Sequence, residues 1–210
     1  MSPRAPRAVD TPPDRTPQRS EARERLLATA SELFYAEGIN NVGVNRIVSA
    51  GKVTLATFYR HFPSKQDLVV AYLQRIHQHL VDRAAQLAAT ARGRDLVAAL
   101  GADVSAEVGL PNYRGCAFIN AASEFEDAQS PVRMVVAEHR HWYFELVRQA
   151  FADAGHATPA TPARNFVMLR DGAVIAGYLD SATAAQRTFK RGVDGLLWSI
   201  GLETLPGADD

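Results

Sequence analysis

From about residue 17 onward the apolar residues return with the period of an α-helix, about 3.6 per turn, and that one pattern removes most fold classes from consideration. No Asn-Gly or Asp-Gly turn lies between alternating hydrophobic runs, so no hairpin is expected and the chain reads as all-α. Leu26, Leu27, Ala30, Leu33 and Phe34 form one stripe of a first helix that starts at about residue 17 or 21, ends at 37 and is stopped by Gly38. A short helix over 44–50, a turn at Gly51-Lys52 and a third helix over 55–62 behind Thr54 as N-cap come next. After Pro63, the run Ser64-Lys65-Gln66-Asp67 has the form of a capping box, and Leu68, Tyr72, Ile76 and Leu80 mark the buried face of the long helix it opens.

Further helices are expected at 94–108, 115–126, from Pro131 to just before Gly155, at 163–180 and at 184–202. The stripe of the helix at Pro131 is Val132, Val135, Val136, His139, Trp142, Tyr143, Leu146, Val147 and Ala150. The last two helices carry Phe166, Leu169, Val174, Ile175 and Tyr178, then Phe189, Val193, Leu196, Leu197, Trp198 and Ile200, which is apolar on too many sides for one core face. Pairing of residues 163–202 with a second copy is the expected outcome, since a monomer would expose a sticky patch. Gly172, Gly177, Gly192 and Gly195 would let such helices approach closely.

The formal net charge of zero hides two opposite halves. Residues 1–80 hold 11 Lys and Arg against 7 Asp and Glu, whereas residues 81–210 hold 12 against 16. A polyanion would therefore be met by the N-terminal part of the chain. Residues 1–19, with five prolines and four arginines, are expected to be a disordered basic arm. No run approaches the roughly 18 apolar residues of a membrane span, and proline breaks the N-terminus where a signal peptide needs an apolar stretch, so a cytoplasmic protein is expected. Cys116 is the only cysteine, and its expected role is that of a small buried hydrophobe rather than a redox sensor.

A short helix, a tight turn and a second short helix, buttressed by a preceding amphipathic helix, can place the last helix in a major groove about 12 Å wide. That last helix offers Thr57, Tyr59, Arg60 and His61, with Lys65 just beyond, as hydrogen-bond donors, while Phe58 and Phe62, four apart, face inward. At these residues the sequence resembles the TetR family of bacterial regulators: the run 24–38, then Ile47-Val48-Ser49-Ala50-Gly51, then Ala56-Thr57-Phe58-Tyr59-Arg60-His61-Phe62-Pro63-Ser64-Lys65. The resemblance covers about residues 20–80. It implies an all-helical homodimer with a three-helix DNA-binding domain at 20–66 and a ligand-binding and dimerisation domain at 67–204. It also implies that Thr57, Tyr59, His61 and Lys65 meet phosphates while Asn45, Leu55, Ala56 and Arg60 approach base edges, with Thr54 joining the DNA-facing set. Three positions depart from the family pattern: Gly51 stands one place before the usual turn glycine, Leu55 where lysine is common, and Gly43 where a Ser or Thr cap is usual.

In the C-terminal half no catalytic constellation is found. His139 and His141, like His77 and His79, are two apart and point about 200° from each other on a helix, so neither pair is set up to chelate a metal. No cofactor is expected. Polar or aromatic groups on otherwise apolar faces are the candidates for lining an effector pocket: Phe118, Asn120, Glu124, Phe125, His139, Trp142 and Tyr143. The run 114–120 with Glu124-Phe125 and Pro131 resembles one C-terminal subgroup of the same family. The expected function is a transcriptional regulator, in the usual form a repressor released from a palindromic operator by a small molecule. A helical adaptor without DNA binding would not need the donors at 57–65, and an enzyme would need a nucleophile–base or metal set.

Overall fold

The computed structural model describes the backbone of residues 16–203 and the side chains of residues 21–198. The helices, in chain order, are α1 (Thr16–Glu37), α2 (Val44–Ala50), α3 (Leu55–His61), α4 (Lys65–Thr90), α5 (Gly93–Val108), α6 (Ala117–Glu124), α7 (Pro131–Asp153), α8 (Ala160–Leu179) and α9 (Ala182–Glu203), and no strand occurs among the described residues. Residues 16–19, read from sequence as the end of an arm, form the first turn of α1, and residues 1–15 lie outside the described residues. Ile200 falls within α9, but its side chain lies outside them.

Small shifts of helix ends have local causes. Phe62 is extended (φ −133°, ψ 106°) rather than a last helical residue, because Pro63 disfavours helical geometry in the residue before it. α6 is shorter than the expected 115–126, since Gly115 sits at φ +81° and Cys116 and Phe125 are extended at its two ends. α8 starts earlier than expected and takes Pro162 into its first turn, where the missing N–H has no partner to lose.

α1, α2 and α3 close over the N-terminal end of α4. Leu26, Ala30, Val42, Ile47, Phe58, Leu68 and Val69 are fully buried there, and Phe34 meets Tyr72 of α4 edge-on at 5.7 Å. Removing a ring such as Phe58 from this small core would cost about 3–5 kcal/mol. Ile76 and Leu80, expected on the buried face of α4, are only partly buried, and Leu73 and Ala84 take the deeper places.

The rest of α4 joins α5, α7, α8 and α9 in a bundle, with α6 against α7. Phe166 of α8 meets Phe189 of α9 at 5.7 Å, and Val97, Val147, Phe151 and Val174 are fully buried. α8 can lie close on α5 because Gly177 has no side chain: a Cβ there would stand 2.3 Å from Cγ1 of Val108. Gly172 and Gly195 face open space instead.

Candidate functional site

The turn between α2 and α3 decides how the third helix is presented. Gly51 is the C-cap of α2, and the residue in left-handed geometry is Lys52, at φ 50°. Lys52 N–H donates to Ser49 O (3.2 Å) and Val53 N–H to Val48 O (3.0 Å), the pair of bonds of a Schellman motif with lysine where glycine is usual. The displaced glycine seen in sequence therefore leaves the tight turn intact. Thr54 then caps α3 by accepting from Thr57 N–H at 3.1 Å, and its hydroxyl lies 2.9 Å from that of Thr57. Gly43 caps α2 with no side-chain bond.

Phe58 and Phe62 turn inward, 6.2 Å apart, and fix α3 against the core. Leu55 (45% exposed), Ala56, Tyr59 (52% exposed) and Arg60 form the outer face, Thr57 and His61 are half-buried beside it, and Asn45 is exposed on α2. This face combines a guanidinium, a phenol, a hydroxyl and apolar groups, the mixture that can grip guanine, reach phosphates and touch a thymine methyl. Ser64 opens α4 by accepting from Asp67 N–H (3.1 Å), while the Ser64 hydroxyl donates to the Asp67 carboxylate (2.6 Å). Lys65 is the first residue of α4. Burial draws its pKa below the ordinary lysine value, and the nearby Glu124 carboxylate opposes that shift.

Glu124, the last residue of α6, belongs to the junction between the two halves. Its Oε1 accepts from Ile39 N–H at 2.9 Å and its Oε2 from Asn40 N–H at 2.5 Å, so one carboxylate holds the turn between α1 and α2. Asn40 Nδ2 also donates to the Glu124 backbone oxygen at 3.3 Å. Gly38 makes this turn possible by adopting φ +90° at the end of α1. A second tie comes from Tyr35: its hydroxyl accepts from Arg114 N–H (2.9 Å) and donates to Gly115 O (3.2 Å). Asn120 and Glu124 line a junction cleft of about 160 Å³ with Tyr35 and Arg114.

A separate cavity of about 280 Å³ opens between α6, α7 and α8. Phe118, His139 and Tyr143 of the sequence-derived candidates line it, together with Ile119, Val136 and Val167. Phe118 stacks on His139 with ring centroids 3.6 Å apart, and His139 Nδ1 lies 3.1 Å from His77 Nδ1 on α4. Burial, reinforced by the positive charge of Arg170, pulls the His139 pKa down to about 3, so the imidazole is neutral at physiological pH. Trp142 lines a smaller neighbouring cavity with His139 and Tyr143. Phe125 is in neither cavity: it caps α6, and its carbonyl accepts from Arg133 Nη1 at 3.0 Å.

Sequence reading missed Arg170, which is 8% exposed and stands where this cavity meets two others. Its neighbours four residues away on α8, Phe166 and Val174, are both fully buried, and a charge on such a face was the available signal. Cys116 is buried as expected, but it has a partner: Arg170 Nη2 lies 3.3 Å from its Sγ. Among the described residues no helix is long and apolar enough to cross a membrane.

Residues 26–72 match the family of bacterial regulatory proteins, tetR family. An HTH-type transcriptional regulator of Staphylococcus aureus is 40% identical over 55 residues, 26% of this chain, and the chain spans only 30% of that relative's length. At 22% identity, the fold is shared with a transcriptional regulator from Saccharomonospora viridis solved in complex with choline, with a TM-score of 0.71 over 83% of this chain and 96% of that one. The TetR-family transcriptional regulator SCO4454 from Streptomyces coelicolor superposes with a TM-score of 0.83 and is 39% identical, covering 86% of this chain and 96% of its own. That likeness takes in most of both chains, and the chain belongs to the TetR family of DNA-binding transcriptional regulators.

Proposed function

We propose that the protein is a homodimeric repressor that holds a palindromic operator until a small molecule enters the cavity between α6, α7 and α8. In this reading residues 20–66 bind DNA, residues 67–204 bind the effector and dimerise, and the protein is a regulator rather than an enzyme. Asn45, Thr54, Leu55, Ala56, Thr57, Tyr59, Arg60, His61 and Lys65 face the operator, and Phe118, His139 and Tyr143 face the effector. The observation that carries the reading is that α6 does two things at once. Phe118, Ile119 and Ala122 wall the cavity, and Glu124, at the end of the same helix, holds the turn that leads into α2. A molecule that displaces α6 would move the helix-turn-helix with it, and two recognition helices must sit about 34–36 Å apart to enter successive major grooves.

Dimerisation through residues 163–202 is supported by the outer surfaces of α8 and α9. Met168 (72% exposed), Leu179 (68%) and Trp198 (67%) are open, and an apolar groove of about 340 Å³ runs along Met168, Gly172, Ala173, Ala176 and Ala184. A two-fold dimer reads a two-fold operator. The test is fluorescence anisotropy with DNA flanking the gene. The expected result is saturable, salt-dependent binding that a small molecule weakens by roughly 5–150-fold, with DNA weakening ligand binding by the same factor. Equal ligand affinity for free and operator-bound protein would overturn the release mechanism.

A further inference from the structure

We infer that the effector is an anion: an apolar or aromatic body carrying a carboxylate that pairs with Arg170. This rests on the proposed reading of the cavity as the effector site and adds the chemistry of what fills it. Arg133, Arg140 and Arg170 stand in the wall with Asp171 as the one carboxylate, and His139 adds no charge. The two outer arginines are already engaged, Arg133 by the Phe125 carbonyl and Arg140 by Asp171 at 2.8 Å. Arg170 shares that same Asp171 at 3.0 Å through Nη1, and its Nη2 lies against the thiol of Cys116. On the side of the neighbouring cavities stand Asp103, which pairs with Arg83, and Glu107, whose pKa burial raises toward the neutral form. Asp171, which Arg140 also holds, is the one carboxylate this buried guanidinium has in the cavity wall, and the planar fork of Arg170 matches a second one.

A second donor stands beside it. The Tyr143 hydroxyl is shut off from solvent with no hydrogen-bond partner, the Arg170 guanidinium lies 5.7 Å from the Tyr143 ring, and burial pushes the phenol's pKa up so that it stays a neutral donor. The remaining wall is Phe118, Ile119, Ala122, Val136 and Val167, which suits a hydrocarbon body. A cavity of roughly 150 Å³ holds benzene, and this one, at about 280 Å³, has room for a fused ring pair or a ring with a short chain.

The test is calorimetric titration of the full chain with three matched acid–amide pairs: benzoate and benzamide, 2-naphthoate and 2-naphthamide, octanoate and octanamide. At least one acid is expected to bind about 10–100-fold tighter than its amide, the range of a charge-assisted contact. Arg170→Gln should erase that preference while leaving amide affinity within about threefold, and Arg170→Lys should keep part of it. Should Arg170→Gln fail to fold, the wild-type pairs and Arg170→Lys still decide the matter. Amides that bind as tightly as their acids overturn the anion assignment and leave the effector cavity standing. Acids that bind Ile119→Trp, whose indole fills the cavity, as tightly as wild type overturn both, as does failure of all six probes at millimolar concentration.

Discussion

Replacing Glu124 by glutamine keeps the size of the side chain, removes its charge and leaves one acceptor oxygen where the turn presents two N–H donors, those of Ile39 and Asn40. One backbone N–H then faces a side-chain NH₂, donor against donor. A hydrogen bond to a charged group contributes about 1.5–3 kcal/mol, and this partly solvated junction belongs near the lower end, so losing one bond and weakening the other should cost about 2 kcal/mol. Local opening of the turn would then become about 30-fold more frequent. Amide hydrogen exchange measured by NMR reads this directly: the Ile39 and Asn40 amides should exchange about 30-fold faster, while amides of α5 and α8 stay unchanged. In operator titrations the same variant should bind effector normally but show a smaller effector-induced loss of DNA affinity. Unchanged exchange at Ile39 and Asn40 in a folded Glu124→Gln protein would refute the assignment of the carboxylate as the tie between the two halves.

Arg60→Ala should cost about 1–3 kcal/mol of operator affinity and relax preference at one base position, whereas Lys65→Ala should weaken all sequences alike and lower the salt slope by about one, both read by anisotropy over a salt series. Met168→Glu combined with Trp198→Glu should give a folded monomer with much weaker operator binding, and sedimentation showing wild-type protein as a monomer at micromolar concentration would contradict the proposed interface. Lys52→Gly should raise stability by about 0.5–1 kcal/mol, because relief of left-handed geometry worth about 1–2 kcal/mol exceeds the extra entropy glycine adds to the unfolded chain, and thermal melting will show whether the sign is right. His139 has a folded-state pKa of about 3, below its unfolded value, so the unfolded chain takes up the proton first and stability falls as pH drops from about 6.5. Comparing wild type with His139→Phe over pH 6.5–5, where carboxylates contribute less, should show that slope, at most about 1.4 kcal/mol per pH unit, in the wild type alone.

What could be read from sequence was local. The span 44–50, Thr54 as cap, the Ser64–Asp67 capping pair and the inward turn of Phe58 and Phe62 depend on contacts within four residues, and the structure has them as expected. What could not be read depends on distant segments meeting. His77 and His139 each have a histidine two residues away on the same helix, yet they meet each other across α4 and α7. Asn120 and Glu124 do share a face of α6, but that face looks onto the junction, where the N–H groups of Ile39 and Asn40, just past Gly38, donate to Glu124. Arg170 is one of three charged residues in α8, with Arg164 and Asp171, and nothing within α8 tells that Cys116, 54 residues earlier, would lie against it.

In the proposed reading, Gly177 is a position where effector preference could change without touching the DNA-facing residues. It lies seven residues after Arg170, two turns along the same face of α8, and its missing side chain is what lets Val108 approach. Any residue larger than glycine would wedge α8 away from α5 and carry Arg170 with it, so in the proposed reading the width of the effector cavity depends on the contact between Gly177 and the Val108 side chain two turns distant. Laboratory selection for a new inducer should therefore collect substitutions at Gly177 and Val108 as well as in the chamber wall, and such variants would accept bulkier molecules while keeping the same operator.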